Sequence, residues 1–292
     1  MFLQQVVGGL ATGSIYALVA LGFILIFKAT DVVNFAQGEL MMVSTFFTKT
    51  MIDWLHPASI GMWLAVMLLT IGFAALFGAL LERLIVRPLM NAPVFSIVIA
   101  TIGLSTLLIG LSGGVVWDWD TYPGQSPLSN KPVSLGGVVV TPLDIGIVGI
   151  TIGLILILTL YFKFTKLGIA MRATQQNKQT ATLMGINVKG IYTGTWALSA
   201  VVSGVAGFLA APIIFIDTNM GFVVLKGFAG AVLGGWGSIP GAIVGGMALG
   251  VMENLATVYV WPQIKHMAAF LVLLIVLLCK PDGLLGFTVK KV

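Results

Sequence analysis

Long apolar runs, separated by short polar clusters, make up almost the whole of this chain. A bilayer core about 30 Å thick takes about 20 helical residues to cross. Five uncharged stretches meet that requirement: Val6 to Phe27, Ile60 to Leu81, Val94 to Val116, Ile145 to Phe162, and Ile191 to Ile216. Three further stretches are less regular. Val32 to Thr48 is apolar except for Asn34, Gln37 and Glu39, and reads as a span or a partial dip. Gly227 to Met252 is uncharged but cut by Gly234-Gly235-Trp236-Gly237-Ser238-Ile239-Pro240-Gly241, which predicts two half-helices or two spans joined there. Met267 to Cys279 is short and reaches span length only if Lys265 and His266 snorkel. The pattern predicts an all-α, polytopic membrane helix bundle of about eight to nine spans, including broken or re-entrant segments.

Composition sharpens the picture. Of 292 residues, 58% are hydrophobic and 9% charged, against roughly 25% charged in soluble domains. No linker or charge block divides the chain, so residues 1–292 read as a single transmembrane domain with one sizeable soluble loop, 163–189. The first run is too long, and has no basic residue before it, for a cleaved signal peptide. The single cysteine, Cys279, allows no intrachain disulfide and lies in an apolar run suited to packing. The net charge of +5 comes from basic residues between and beside the apolar runs, which points to orientation in a bilayer and away from nucleic acid. Eleven of the fifteen Lys and Arg fall at Lys28, Arg83/Arg87, the segment Lys163 to Lys189 and the tail Lys280 to Val292. That side is cytoplasmic by the positive-inside rule, which places the N-terminus outside and the C-terminus inside and demands an odd number of crossings. Trp54, Trp117, Trp119 and Trp261 stand where interfacial anchors would.

The polar residues inside the apolar pattern carry the candidate chemistry. Asn34, Gln37 and Glu39 follow the first span directly; at membrane depth they would line a water-filled or substrate path, whereas at the interface they would cap the next helix. Glu253 reads as an interfacial carboxylate or one within the membrane, and no second acid lies at helical spacing from it or from Glu39, so no proton-relay pair is visible. Glycines at 230, 234, 237, 241, 245, 246 and 250 give small-xxx-small spacings suited to close helix approach, and Gly234, Gly237 and Gly241 are candidates for a helix break along a path. The loop 163–189 has five basic residues and no acid. Within it Ala170, Ala173, Asn177, Ala181 and Met184 fall near one face of a short helix ended by Gly185, which suits either docking on a soluble partner or a plain connector. No phosphate-binding loop, catalytic triad, zinc or haem motif occurs, so the chain reads as a transport component without its own ATPase, with no catalytic residues, metal or cofactor.

Several motifs together carry a resemblance. Gly13-Ser-Ile-Tyr-Ala-Leu-Val-Ala-Leu-Gly22, Asn34-Phe-Ala-Gln-Gly-Glu39, Glu82-Arg83 with Arg87-Pro88, Met171-Arg-Ala, Ala181-Thr-Leu-Met-Gly185-Ile-Asn187 and Leu233-Gly-Gly-Trp-Gly-Ser-Ile-Pro-Gly241 resemble the branched-chain amino acid (Liv-type) ABC transporter permeases, specifically the smaller H-type subunit. The resemblance implies a heterodimer with a second related permease, two cytoplasmic ATPase subunits that bind and hydrolyse ATP, and an extracytoplasmic binding protein. It implies residence in the bacterial inner membrane. It also implies that Arg172 to Asn187 couples to the ATPase, through Arg172, Ala173, Asn177, Ala181 and Gly185. ABC importers often carry Glu-Ala-Ala-x-x-x-Gly here, of which only Ala181 and Gly185 remain in this chain. Similar permeases serve urea and amides, and an ATP-independent secondary transporter or channel for small polar solutes is the alternative from another class.

Overall fold

A computed structural model of the chain describes residues 2–90, 92–135, 138–260, 262, 265–280 and 283–285. The readings placed on Trp261, on the side chains of Lys265, His266 and Cys279, and on the tail beyond residue 285 lie outside the described residues. The helices, in order, are α1 (Phe2–Thr30), α2 (Gln37–Leu55), α3 (Ile60–Leu81), α4 (Val94–Leu111), α5 (Pro142–Phe164), α6 (Lys166–Gln176), α7 (Lys178–Leu183), α8 (Val188–Ala210), α9 (Val223–Gly234), α10 (Ile239–Tyr259) and α11 (Lys265–Cys279). By length and composition six are able to cross a membrane: α1, α3 with its extension to Leu89, α4 with its extension to Val116, α5, α8 and α10. The fold is all-α apart from a short antiparallel hairpin, β1 (Val133–Leu135) and β2 (Val138–Val140), which the apolar pattern did not anticipate.

The uniformly apolar α1 forms the central post, with an unbroken buried stretch from Gly13 to Ile26. α5, α8, α9 and α10 pack around it, and α8 in turn carries α2 and α3. The outward faces of α3, α4 and α5 present Leu68, Leu76, Phe95, Ile99, Leu156 and Ile157, as a bilayer-facing surface requires.

Glycine makes the tightest seams. A Cβ on Gly13 would stand 2.6 Å from the Met247 carbonyl oxygen, and one on Gly230 only 2.8 Å from Gly246 Cα. α10 thus lies backbone to backbone against α1 on one face and α9 on another, the close approach that the small-xxx-small spacing predicted.

Several helix limits differ from the apolar runs. α8 stops at Ala210 because Pro212 cannot continue it. α5 begins earlier, at Pro142, where Thr141 Oγ1 accepts the Asp144 N–H at 3.1 Å. α2 begins only at Gln37 but runs on to Leu55. The single short helix expected to end at Gly185 is instead two helices. Asn177 has an extended backbone, ends α6, and caps α7 by accepting the Thr180 N–H at 2.9 Å. Within α7, Ala181 is buried while Met184, just past its end, is exposed.

Candidate functional site

After α1 the chain turns back into the bundle through six irregular residues. Asn34 Oδ1 accepts the Ala36 N–H at 3.1 Å, and the Phe35 N–H donates to Thr101 Oγ1 at 3.3 Å, so backbone groups of this enclosed segment find partners. α2 then starts beside Gly22, where any side chain would press on the Gln37 amide. Gln37 Nε2 donates to Ser199 Oγ at 3.0 Å and Ser203 Oγ at 2.6 Å. Asn34 Nδ2 donates to Gln37 Oε1 at 3.3 Å, and Ser199 Oγ donates to the Gly22 carbonyl at 2.8 Å. This buried network joins α1, α2 and α8. Asn34 and Gln37 therefore hold helices together; Asn34 braces the turn before α2, and no side chain caps the first turn of that helix.

Glu39 faces elsewhere. It lines a cavity of about 390 Å³ together with Phe23 of α1, Phe35, Ser105 and Ile109 of α4, Trp119, and Phe222 and Phe228 at α9. Its side chain is 6% exposed, Oε2 has no hydrogen-bond partner among the described residues, and no described cation lies within ion-pair distance. Ser105 sits near the middle of α4, so the carboxylate lies deep in the bundle.

The segment 217–226 separates this cavity from a second one of about 470 Å³, and Asn219 and Phe222 border both. In the second, Lys226 Nζ donates to Glu253 Oε1 at 2.6 Å and to the Tyr16 hydroxyl at 3.2 Å. Glu253 is buried and ion-paired. A third buried carboxylate, Glu82, accepts from Arg87 Nε and Nη2 at 3.3 and 3.2 Å and from Thr193 Oγ1 at 2.8 Å. The π-helical turn Glu82–Val86 creates that pair, because its i→i+5 period brings residues 82 and 87 together.

Gly234, Gly237 and Gly241 stand at the far end of α9 and border neither cavity. Gly234 and Gly241 abut through their backbones, and Gly237 makes the intervening turn at φ +86°. Leu284 and Leu285 donate backbone N–H groups to the carbonyls of Leu233 and Gly234 at 2.8 and 2.9 Å, closing the end of α9. Among the described residues no group of three His, Cys, Asp or Glu side chains is placed to hold a metal.

The family described as "Branched-chain amino acid transport system / permease component" matches residues 5–278. The chain belongs to that permease family. It is 33% identical over 296 residues to the high-affinity branched-chain amino acid transport system permease protein LivH of Salmonella typhimurium, covering 98% of this chain and 96% of the relative. It is 34% identical over 299 residues to the corresponding permease protein BraD of Pseudomonas aeruginosa, at the same coverage. A nucleoside ABC transporter permease, NupC of Lactococcus lactis, is 33% identical over 139 residues, 45% of this chain and 41% of the relative. No solved structure matches.

The permease is thus a multi-pass membrane transport component. Its soluble segment presents an ordered end: the Ile186 N–H donates to the Ala181 carbonyl and the Gly185 N–H to the Thr182 carbonyl, both at 3.0 Å, with Gly185 at φ +82°. These bonds form a Schellman motif, which leaves Leu183 and Met184 87% and 78% exposed at the tip of α7. Arg172 is directed instead toward a cavity beside Lys163 and Pro240, and Ala173 is half-buried.

Sequence reasoning missed the aromatic wall around Glu39 and the Lys226–Glu253–Tyr16 cluster. Lys226 is the only charged residue between Asp217 and Glu253. That isolation was a readable signal for a buried partner, but the pairing spans 27 positions and has no local period.

Trp117, read as an interfacial anchor, also has partners within the protein. It stacks on Phe46 at 5.2 Å, and its Nε1 donates to Thr50 Oγ1 at 2.8 Å.

Proposed function

We propose that this chain is the H-type permease subunit of an ABC importer that moves amino acids, branched-chain ones first, across the bacterial inner membrane. The observation that carries the reading is full-length similarity to permeases named for branched-chain amino acid transport. ATP is hydrolysed by two cytoplasmic partner subunits. An extracytoplasmic protein delivers substrate, and a second related permease completes the path. The chain itself holds no cofactor and forms one domain.

Two ends of the bundle support the orientation. Phe27, adjacent to Lys28, meets Trp236 edge to face with ring centroids 5.0 Å apart, and α9 ends there beside Leu284 and Leu285. At the other end Lys49 lies 4.1 Å from the Tyr122 ring centroid, and Tyr122 pairs with Ile216. α9 therefore travels from the Asp217 end to the Lys28 end and α10 returns. With α2 and α11 this favours nine crossings, an odd number, with the N-terminus outside and the C-terminus inside.

Leu183 and Met184 at the tip of α7 are the apolar side chains that would enter a groove on the ATPase, with Asn177, Ala181 and Gly185 shaping the helix behind them. The test is reconstitution in proteoliposomes with the partner permease, ATPases and binding protein. Leucine, isoleucine or valine uptake should depend on ATP and on every partner. Uptake by the chain alone under an ion gradient would overturn the reading, and uptake of nucleosides or urea in preference to amino acids would overturn its substrate.

A further inference from the structure

Among the described residues three Glu carboxyl groups are buried, and two have a cation: Arg87 for Glu82 and Lys226 for Glu253. Glu39 has none among the described residues, yet it is 6% exposed and Oε2 is without a hydrogen bond. It faces a cavity of about 390 Å³, within the roughly 300–1,000 Å³ range of small-molecule sites. Among the described residues no Lys, Arg or His lines that cavity, and Phe23, Phe35, Trp119, Phe222 and Phe228 give it five aromatic side chains.

A carboxyl group removed from water either keeps its proton or is offset by a positive group, so a cation entering this cavity would find an acid able to ionise beside it. Aromatic faces also favour a cation and accept an aliphatic body. Gly221 stands opposite the carboxylate, where an added Cβ would lie 3.0 Å from Glu39 Oε1, so the backbone there leaves space beside the anion.

We infer that the Glu39 cavity is a transit site for the ammonium group of the transported amino acid, with the aliphatic side chain against Phe23, Phe222 and Phe228. The inference rests on reading the chain as an amino-acid permease and adds the residue that recognises one end of the substrate. The cavity is assigned that end because it offers a carboxyl group and, among the described residues, no cation.

The test uses the purified importer complex and two probes that share a branched aliphatic chain: 3-methylbutylammonium and 3-methylbutanoate. Saturation-transfer NMR should detect the cation on the wild-type complex, and Glu39→Gln should weaken its binding about tenfold or more, the scale of one charge-assisted hydrogen bond. The anion should give no signal in either. Gly221→Ala, which crowds the carboxylate without removing it, should weaken the cation less. In vesicles Glu39→Gln should raise the KM for leucine uptake while ATP hydrolysis stimulated by loaded binding protein persists; that separates lost recognition from lost assembly. Unchanged cation binding in Glu39→Gln, or equal binding of the two probes, would overturn the inference. If no amino-acid-loaded binding protein stimulates the wild-type complex while the cation still binds through Glu39, the import reading fails and the ammonium site stands.

Discussion

Gln37 and Glu39 lie two residues apart at the start of α2, and their surroundings are opposite. The Gln37 amide is locked between α1 and α8 by Ser199, Ser203 and Asn34. Glu39 lines a cavity, and its Oε2 is buried without a hydrogen-bond partner among the described residues. Polarity at membrane depth therefore serves two ends in one helical turn, and only the partner list separates them. A closed polar group holds helices together; an open one awaits something the chain does not supply.

The largest effect should come from breaking a closed group that carries charge. Glu253→Ala leaves the half-buried Lys226 beside Tyr16 without its anion and should destabilise the permease by about 3 kcal/mol, seen as a lower thermal unfolding midpoint in detergent. The double variant Lys226→Met/Glu253→Leu should recover most of that loss. If Glu253→Ala alone is harmless, the cluster is more hydrated than its geometry indicates.

Next in size is Gln37→Leu, which removes the partner of Asn34 Nδ2 and of the Ser203 hydroxyl while Ser199 keeps the Gly22 carbonyl; the expected cost is about 1–3 kcal/mol. Monodisperse yield after size-exclusion chromatography is the measurement. Yield equal to wild type would mean that the network does not hold α2 in place.

The same contrast recurs at the soluble end, where Ala181 is enclosed and Leu183 and Met184 are open. Gly185→Val forces a β-branched residue to φ +82° at about 1–3 kcal/mol. It should lower the amount of ATPase co-purified per permease, and Gly185→Asn should restore part of it. Full retention by the valine variant would place the ATPase contact elsewhere, with the turn at Arg83 to Arg87 as the next surface to examine.

The smallest stability effect should belong to the open group. Glu39→Gln is expected to change the unfolding free energy by less than about 1 kcal/mol, because no ion pair or hydrogen bond to Oε2 is lost. A loss as large as that of Gln37→Leu would erase the distinction between the two positions.

Much of this architecture was legible from period and charge alone. Five apolar runs became helices, and Gly234 to Gly241 became the joint between α9 and α10. The glycine seams also followed from spacing, since a missing side chain on a helix face has few uses besides close approach. The limits of α5 and α8 were set by Thr141 and Pro212, which act through capping and ring sterics that an apolar count ignores. Asn34, Gln37 and Glu39 were visible as polar intrusions, but their division into brace and cavity wall depended on Ser199, Ser203 and Phe228, far away in sequence. Asn177 was read as one position on a helix face because its capacity to end one helix and cap the next depends on its extended backbone.

The seams around α10 bear on how such a bundle moves. Where Gly13 meets Met247 and Gly230 meets Gly246, the contact is between smooth backbones without interlocking side chains. A small axial slide of α10 would need no side chain there to change rotamer, whereas pulling it away would give up the dispersion contact along the whole seam. Such a junction behaves as a rail, stiff against separation and yielding along its length. A movement begun at one end of α10 would then arrive at the other largely undiminished.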